Sequence, residues 1–319
     1  MTGFEKAPAR AAAYVAVLGV VLVAALGVGR VVGPVDVAAE PTHASEGGHG
    51  GGGQGDEGTH DAGHTDGSST ATAGLVQELG GYRLELPVTR YGSGEQPFTF
   101  TVVGPVGEPV TAYDEAHERD LHLIAVRRDL TGFQHVHPTL DPASREWSTS
   151  LSLDPGSWRV LADFVPAGGD QVVLGADLVA EGGGTTAPLG DDVLGASVDG
   201  YEVVIELEPV AGEETAIVAT VMRDGRPVTD LGTYLGELGH LVVLRDGDLA
   251  YVHGHPDQGA GTGPTIPFMA TFPSGGRYRL FLEFEHAGAE HMAAFTVTVE
   301  AGDGHTHSHG DEAGGTDEH

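Results

Sequence analysis

Histidines at matching places in two stretches of this chain set its chemistry. His122 opens HLIAVRRDLTGFQHVHP, residues 122–138, and His240 opens HLVVLRDGDLAYVHGHP, residues 240–256. Each stretch starts on a histidine, runs through apolar residues, turns on charged ones and closes on His-x-His-Pro. Neutral imidazole is the commonest metal ligand and suits zinc, copper and nickel. Three histidines with an open fourth position form a known zinc arrangement. The competing reading makes these core-edge histidines, each satisfied by a backbone carbonyl. A triplet repeated at one spacing favours metal over that reading.

A hairpin must position these rings. Leu241 to Arg245 and Leu249 to Val252 read as strands around Asp246-Gly247, a strong hairpin signal because a type I′ turn needs φ > 0 at both central residues. With that turn Arg245 faces Asp248, and His240 faces His253. Directly opposed residues share one side of a sheet, and His255, two residues on, shares it too. The expected centre is therefore His240, His253 and His255, with His286 or His291 as a fourth ligand. The upstream copy places His122, His135 and His137 alike, through a less diagnostic turn near Arg128 and Asp129. The two clusters are either separate sites or face each other across a domain interface.

Around the hairpins the chain reads as β throughout, with short alternating runs broken by Gly, Pro and Asp. Gly81–Leu86 aligns with Gly200–Ile205, Gly107–Thr111 with Gly225–Thr229, and Trp158–Phe164 with Tyr278–Phe284. The expected fold class is all-β: two tandem immunoglobulin-like β-sandwich domains, 75–182 and 193–300, joined by a linker at 183–192 and preceded by one N-terminal transmembrane helix. The copies differ at the ends of their last strands. His286 and His291 stand where the first copy has Pro166 and Gln171, and Glu283 and Glu285 lie in the same strand end. The first copy instead has His117 shortly before His122, beside Asp114, Glu115 and Glu118.

The chain has 319 residues, no cysteine and a formal net charge of −32. Disulfides, thiolate sites and thiol catalysis are excluded. The acidic balance argues against nucleic acid as a partner, since phosphates need Lys and Arg, and it fits attraction of cations. Residues 11–29 are apolar and uncharged, long enough to cross a hydrocarbon core. The reading is a cytoplasmic N-terminus at 1–10 and a signal anchor at 11–33, with the bulk of the chain extracytoplasmic; a cleaved signal peptide is the rival. Residues 34–74 form a polar tether carrying His43, His49, His60 and His64, and 301–319 a tail carrying His305, His307 and His309. Such composition is expected to be disordered and can bind metal loosely.

The segment HLIAVRRDLTGFQHVHP, followed by PGSWRVLADFVPAG, resembles a family of membrane-anchored or secreted bacterial tandem β-sandwich proteins, and the resemblance covers roughly residues 80–300. The plan is also loosely similar to small extracytoplasmic copper-handling sandwiches of the CopC or YtkA-like kind, from which the doubled domain and the His-rich tether depart. That resemblance implies copper on an immunoglobulin-like frame. The expected function is a membrane-anchored extracytoplasmic protein that binds or buffers zinc or copper(II). The alternative is a structural or interaction module with incidental or pH-responsive histidines. The sequence holds no Ser-nucleophile motif, no phosphate-binding glycine loop and no H-E-x-x-H helix, so the reading is non-catalytic.

Overall fold

The computed structural model describes residues 73–256 and 261–302. The anchor at 11–33, the tether up to residue 72 and the tail from residue 303 lie outside the described residues. Every regular element among the described residues is a strand, and no helix there is long and apolar enough to cross a membrane.

The first sandwich contains β1 (Glu78–Leu79), β2 (Tyr82–Glu85), β3 (Arg90–Tyr91), β4 (Gly94–Val103), β5 (Tyr113–Asp114), β6 (Leu121–Arg127), β7 (Gln134–Val136), β8 (Thr139–Leu140), β9 (Trp147–Leu153), β10 (Gly156–Pro166) and β11 (Val172–Ala180). Its sheets run β1-β2-β4-β9-β8 and β3-β11-β10-β6-β7, with β5 pairing β10. The second contains β12 (Gly195–Val198), β13 (Tyr201–Glu206), β14 (Glu214–Arg223), β15 (Arg226–Pro227), β16 (Gly239–Arg245), β17 (Tyr251–Pro256), β18 (Thr265–Thr271), β19 (Gly276–His286) and β20 (Ala289–Val299). Here the order is continuous, β12-β13-β14-β18-β17-β16-β19-β20, because His255 and Pro256 of β17 also pair with β18.

The repeat survives in the pairing. In one copy β6 lies between β7 and β10, and in the other β16 lies between β17 and β19. His122 pairs with Asp163, and His240 pairs with Glu283. Both β6 and β16 are buried on both sides, which is why HLIAVR and HLVVLR read as nearly continuous apolar runs. Leu121, Leu123 and Ala125 enter the core of the first sandwich, while Leu241 and Val243 enter the core of the second. The residues between them, Ile124 and Val126, meet Val242 and Leu244 in a third apolar cluster shared by the two sandwiches. Leu161, Val173, Leu249, Tyr251 and Phe281 complete it, and Phe133 stacks on Phe281 with ring centroids 4.0 Å apart. Full burial of such side chains is worth about 1.5–3 kcal/mol each. The two sandwiches are therefore docked through their hairpin faces like halves of an internal dimer.

The chain enters the first sandwich along this seam. Gly74 N–H donates to the Val173 carbonyl, Tyr251 N–H to that of Ala73, and the Arg159 guanidinium to those of Gly74 and Leu75. A Cβ on Gly175 would lie 2.0 Å from the Gly74 oxygen, so only glycine lets the entering strand pass.

The hairpin turn differs from the expected one. Arg245 N–H donates to the Ala250 carbonyl and Leu249 N–H to that of Arg245, closing a loop over 246–249. Gly247 and Leu249, rather than Asp246 and Gly247, have positive φ. The Asp248 carboxylate accepts from the Ala250 N–H at 3.1 Å and from Arg245 Nε at 3.0 Å and holds a loop that starts after Arg245, as expected, but ends two residues later. His253 consequently pairs with Val242, not with His240; Leu241 pairs with Gly254. The partner has moved by two residues, which preserves the side of the sheet on which each position lies.

Tyr251 reaches across the seam and donates its hydroxyl to Asp163 at 2.9 Å; Gln171 also donates to that buried carboxylate, at 2.7 Å. Tyr251→Phe keeps the ring and removes one cross-seam hydrogen bond to a charged group. It is expected to lower stability by about 1.5–3 kcal/mol, read as a drop in urea midpoint at unchanged slope.

Candidate metal centre

The even-numbered positions of β6 that carry Ile124 and Val126 into the seam also carry His122, which is buried. His135 pairs with Ile124 across the hairpin, and His137 lies two residues further on the same side. One ring nitrogen from each of His122, His135 and His137 can be chosen so that all lie within 4.8 Å of one another. The second sandwich adds His240, stacked on His135 at 4.8 Å between centroids and parallel to His122 at 5.6 Å. His117, held in the left-handed region at φ 47°, closes the cluster 5.4 Å from His240.

The hydrogen bonds fix where the protons are. His122 Nε2 lies 2.9 Å from the Ala116 carbonyl, which can only accept, so Nε2 carries a hydrogen. In the neutral ring Nδ1 of His122 is then an acceptor, and it lies 3.0 Å from His135 Nε2, which must donate. Neutral His135 therefore accepts at Nδ1, where Glu283 Oε2 lies 2.6 Å away. A cationic His135 would donate to a Glu283 carboxylate; with His135 neutral the chain closes only if Glu283 carries the proton. Burial acts in the same direction, pushing the Glu283 carboxyl up to about 8. His137 is driven the other way, down to about 3, first by burial, then by the other two rings and Arg119. Its Nε2 is buried and has no hydrogen-bond partner among the described residues.

This geometry fits an ion. Two nitrogens each 2.0–2.1 Å from a tetrahedral zinc lie about 3.3 Å apart, close to the 3.0 Å between His122 Nδ1 and His135 Nε2. A metal-bound imidazole commonly gives its remaining N–H to a carbonyl or a carboxylate. Ala116 and Glu283 stand where those partners are needed.

The other expected ligands are placed differently. His255 is exposed and pairs with Met269 in β18. The backbone of His253 lies opposite Val242. His286 and His291 do not join the cluster, which corrects the expected fourth ligand. Phe281 of β19 faces the seam while Phe284 faces the core of the second sandwich, and His286 shares the parity of Phe284. His286 Nδ1 bonds the Tyr201 hydroxyl at 2.6 Å and Nε2 lies 3.2 Å from Asp230. His291 packs on Tyr201 and bonds Asp199. Besides His240, the group that reaches the triplet from the second sandwich is Glu283. Its signal in the sequence was a carboxylate at matching places, Asp163 and Glu283, four residues after a matching arginine in two aligned, mostly apolar strands.

Fold and site together define a tandem β-sandwich protein with a histidine cluster in its interdomain seam. A family model described as a domain of unknown function, DUF8832, matches residues 196–301, the second sandwich. No curated protein sequence matches the chain. Among solved structures the chain is similar to a tetra-tandem repeat in the extending region of a large adhesion protein, at 11% identity and a TM-score of 0.24, covering 69% of this chain and 49% of that one. It thus spans about half the length of that structure. It is also similar to domains 4 and 5 of the S-layer protein SbsC, at 11% identity and a TM-score of 0.20, covering 69% and 98%. Invasin, a bacterial integrin-binding protein, matches at 11% identity and a TM-score of 0.21, covering 70% and 39%.

The two displaced titrations give the ion-free protein a defined pH response. Glu283 holds a proton in the folded state up to about pH 8, so its contribution is present below its unfolded value near 4.5 and is lost as pH rises through 8. His137 contributes above its unfolded value near 6.5, and that is lost as pH falls toward 3. Urea melts in chelator from pH 4 to 9 are expected to show Glu283→Gln flattening the alkaline decline and His137→Asn flattening the acid one.

Proposed function

We propose that this protein captures zinc or copper(II) at His122, His135 and His137, with Glu283 and Ala116 orienting two of the rings. The observation that carries the reading is the triplet itself: one nitrogen from each of His122, His135 and His137 lies within 4.8 Å of the others, and the His137 ring keeps a buried Nε2 without a hydrogen-bond partner among the described residues. Leaving such an atom unpaired costs about 1–3 kcal/mol, which a metal bond would offset. Imidazole and carboxylate suit zinc and copper(II). The strongly negative chain would concentrate cations near the site. The apolar run at 11–29 supports a membrane anchor with the sandwiches outside the cytoplasm, where His-rich tracts would collect ions for the ordered centre. On this reading the protein is a non-catalytic binder or buffer.

One observation favours a second reading. The chain from Glu283 through His135 and His122 to Ala116 is complete without an ion, as a structural or pH-responsive polar network would be. The two readings differ in proton count. An ion on His122 Nδ1 and His135 Nε2 displaces the hydrogen between them, while the Glu283 proton passes to His135 Nδ1. Binding then releases one proton, and affinity rises about tenfold per pH unit.

Calorimetric titration of zinc and copper(II) tests this, using a chain whose tether and tail histidines are changed to glutamine. Buffers of different ionisation enthalpy report the proton. One ion and one released proton near pH 7 are expected, with at least a tenfold loss of affinity in His135→Ala and in His137→Ala. Equal affinity in the parent and both variants would leave the structural network as the function.

A further inference from the structure

The metal-capture reading places all three nitrogen ligands on one hairpin, yet the rings are held from both sandwiches. His135 is bonded by Glu283 of β19 and stacked by His240 of β16. Beside them the seam is continuous apolar packing: Ile124 and Val126 against Val242 and Leu244, then Phe133 on Phe281. Phe133 and His135 lie on the same side of one short hairpin arm, so the stack on Phe281 and the position of His135 are mechanically one contact. Tyr251 to Asp163 is a matching contact made from the second hairpin to the first sandwich, and Asp163 pairs with His122. The ligands are thus set by docking.

We propose, resting on the metal-capture reading, that ion binding and sandwich docking are one coupled equilibrium: the ion at His122, His135 and His137 locks the hairpin faces together, and loosening the seam releases the ion. Linkage makes the effect reciprocal. Whatever ion binding adds to docking, docking adds to ion binding. Glu283 transmits it, because its carboxyl belongs to the second sandwich and its hydrogen bond ends on a ligand of the first. A zinc-loaded seam therefore differs from an ion-free one in both domains, although the metal touches only the first.

Amide hydrogen exchange with and without zinc tests this on the full-length chain carrying glutamine at the tether and tail histidines. Slower exchange is expected in β6 and β7 and also in β16 and β19. Phe281→Leu, which touches no ligand, is expected to weaken zinc binding at least threefold and to reduce the protection gained in β16. If Phe281→Leu does not fold, Tyr251→Phe serves as the milder seam variant with the same expectation. Zinc uptake with protection confined to β6 and β7, or affinity unchanged in a folded seam variant, would overturn the coupling and leave metal capture standing. Failure to take up either zinc or copper(II) would overturn metal capture and the coupling with it.

Discussion

Everything at the centre of this molecule depends on burying two hairpin faces against each other. Each sandwich has its own core, and each then presents a second apolar face built from alternate residues of β6 and β10 or of β16 and β19. Placed in water, Ile124, Val126, Val242, Leu244 and Phe281 would be an exposed patch large enough to drive association. Joined in one chain, the faces pair. That pairing carries His122 and His240 out of water, and buried polar groups must then find partners. The carbonyl of Ala116, the carboxyl of Glu283 and the neighbouring rings follow from that need.

Much of this was legible in the residues. A period of two places His122, Ile124 and Val126 on one side and Leu121 and Leu123 on the other, whatever the turn does. The unbroken apolar character of HLIAVR and HLVVLR was the sign that neither side faces solvent. Asp246-Gly247 pointed correctly to a hairpin but to the wrong closure, because the Asp248 side chain competes for the backbone of the turn. The error moved the backbone partner of His253 from His240 to Val242. The facing of the two histidine sets was open as an alternative and unprovable, since it rests on long-range packing that local periodicity does not encode.

His286 and His291 show where composition misleads. They add ligand-type residues to the end of the second sandwich, and counting them made that copy look richer. Strand parity assigns His286 to the core side with Phe284, where Tyr201 and Asp230 engage it. Among the described residues the histidines of the first copy form the cluster, and a carboxylate of the other sandwich reaches it.

The asymmetry between the copies then has a simple physical origin. Phe133 and Tyr251 occupy matching places in the two hairpins, and Asp163 and Glu283 match in the strands they face. Tyr251 has a hydroxyl, which reaches Asp163 across the seam, while Gln171 bonds the other oxygen. That carboxylate is engaged in holding the sandwiches together. Phe133 has no hydroxyl and stacks flat on Phe281, so Glu283 has no such partner, and its longer side chain extends to His135 instead. One oxygen atom on an aromatic ring and one methylene on a carboxylate thus divide two equivalent places into a contact with Tyr251 and a contact with His135. The repeat supplies the seam, and these two differences decide which partner each carboxylate takes across it.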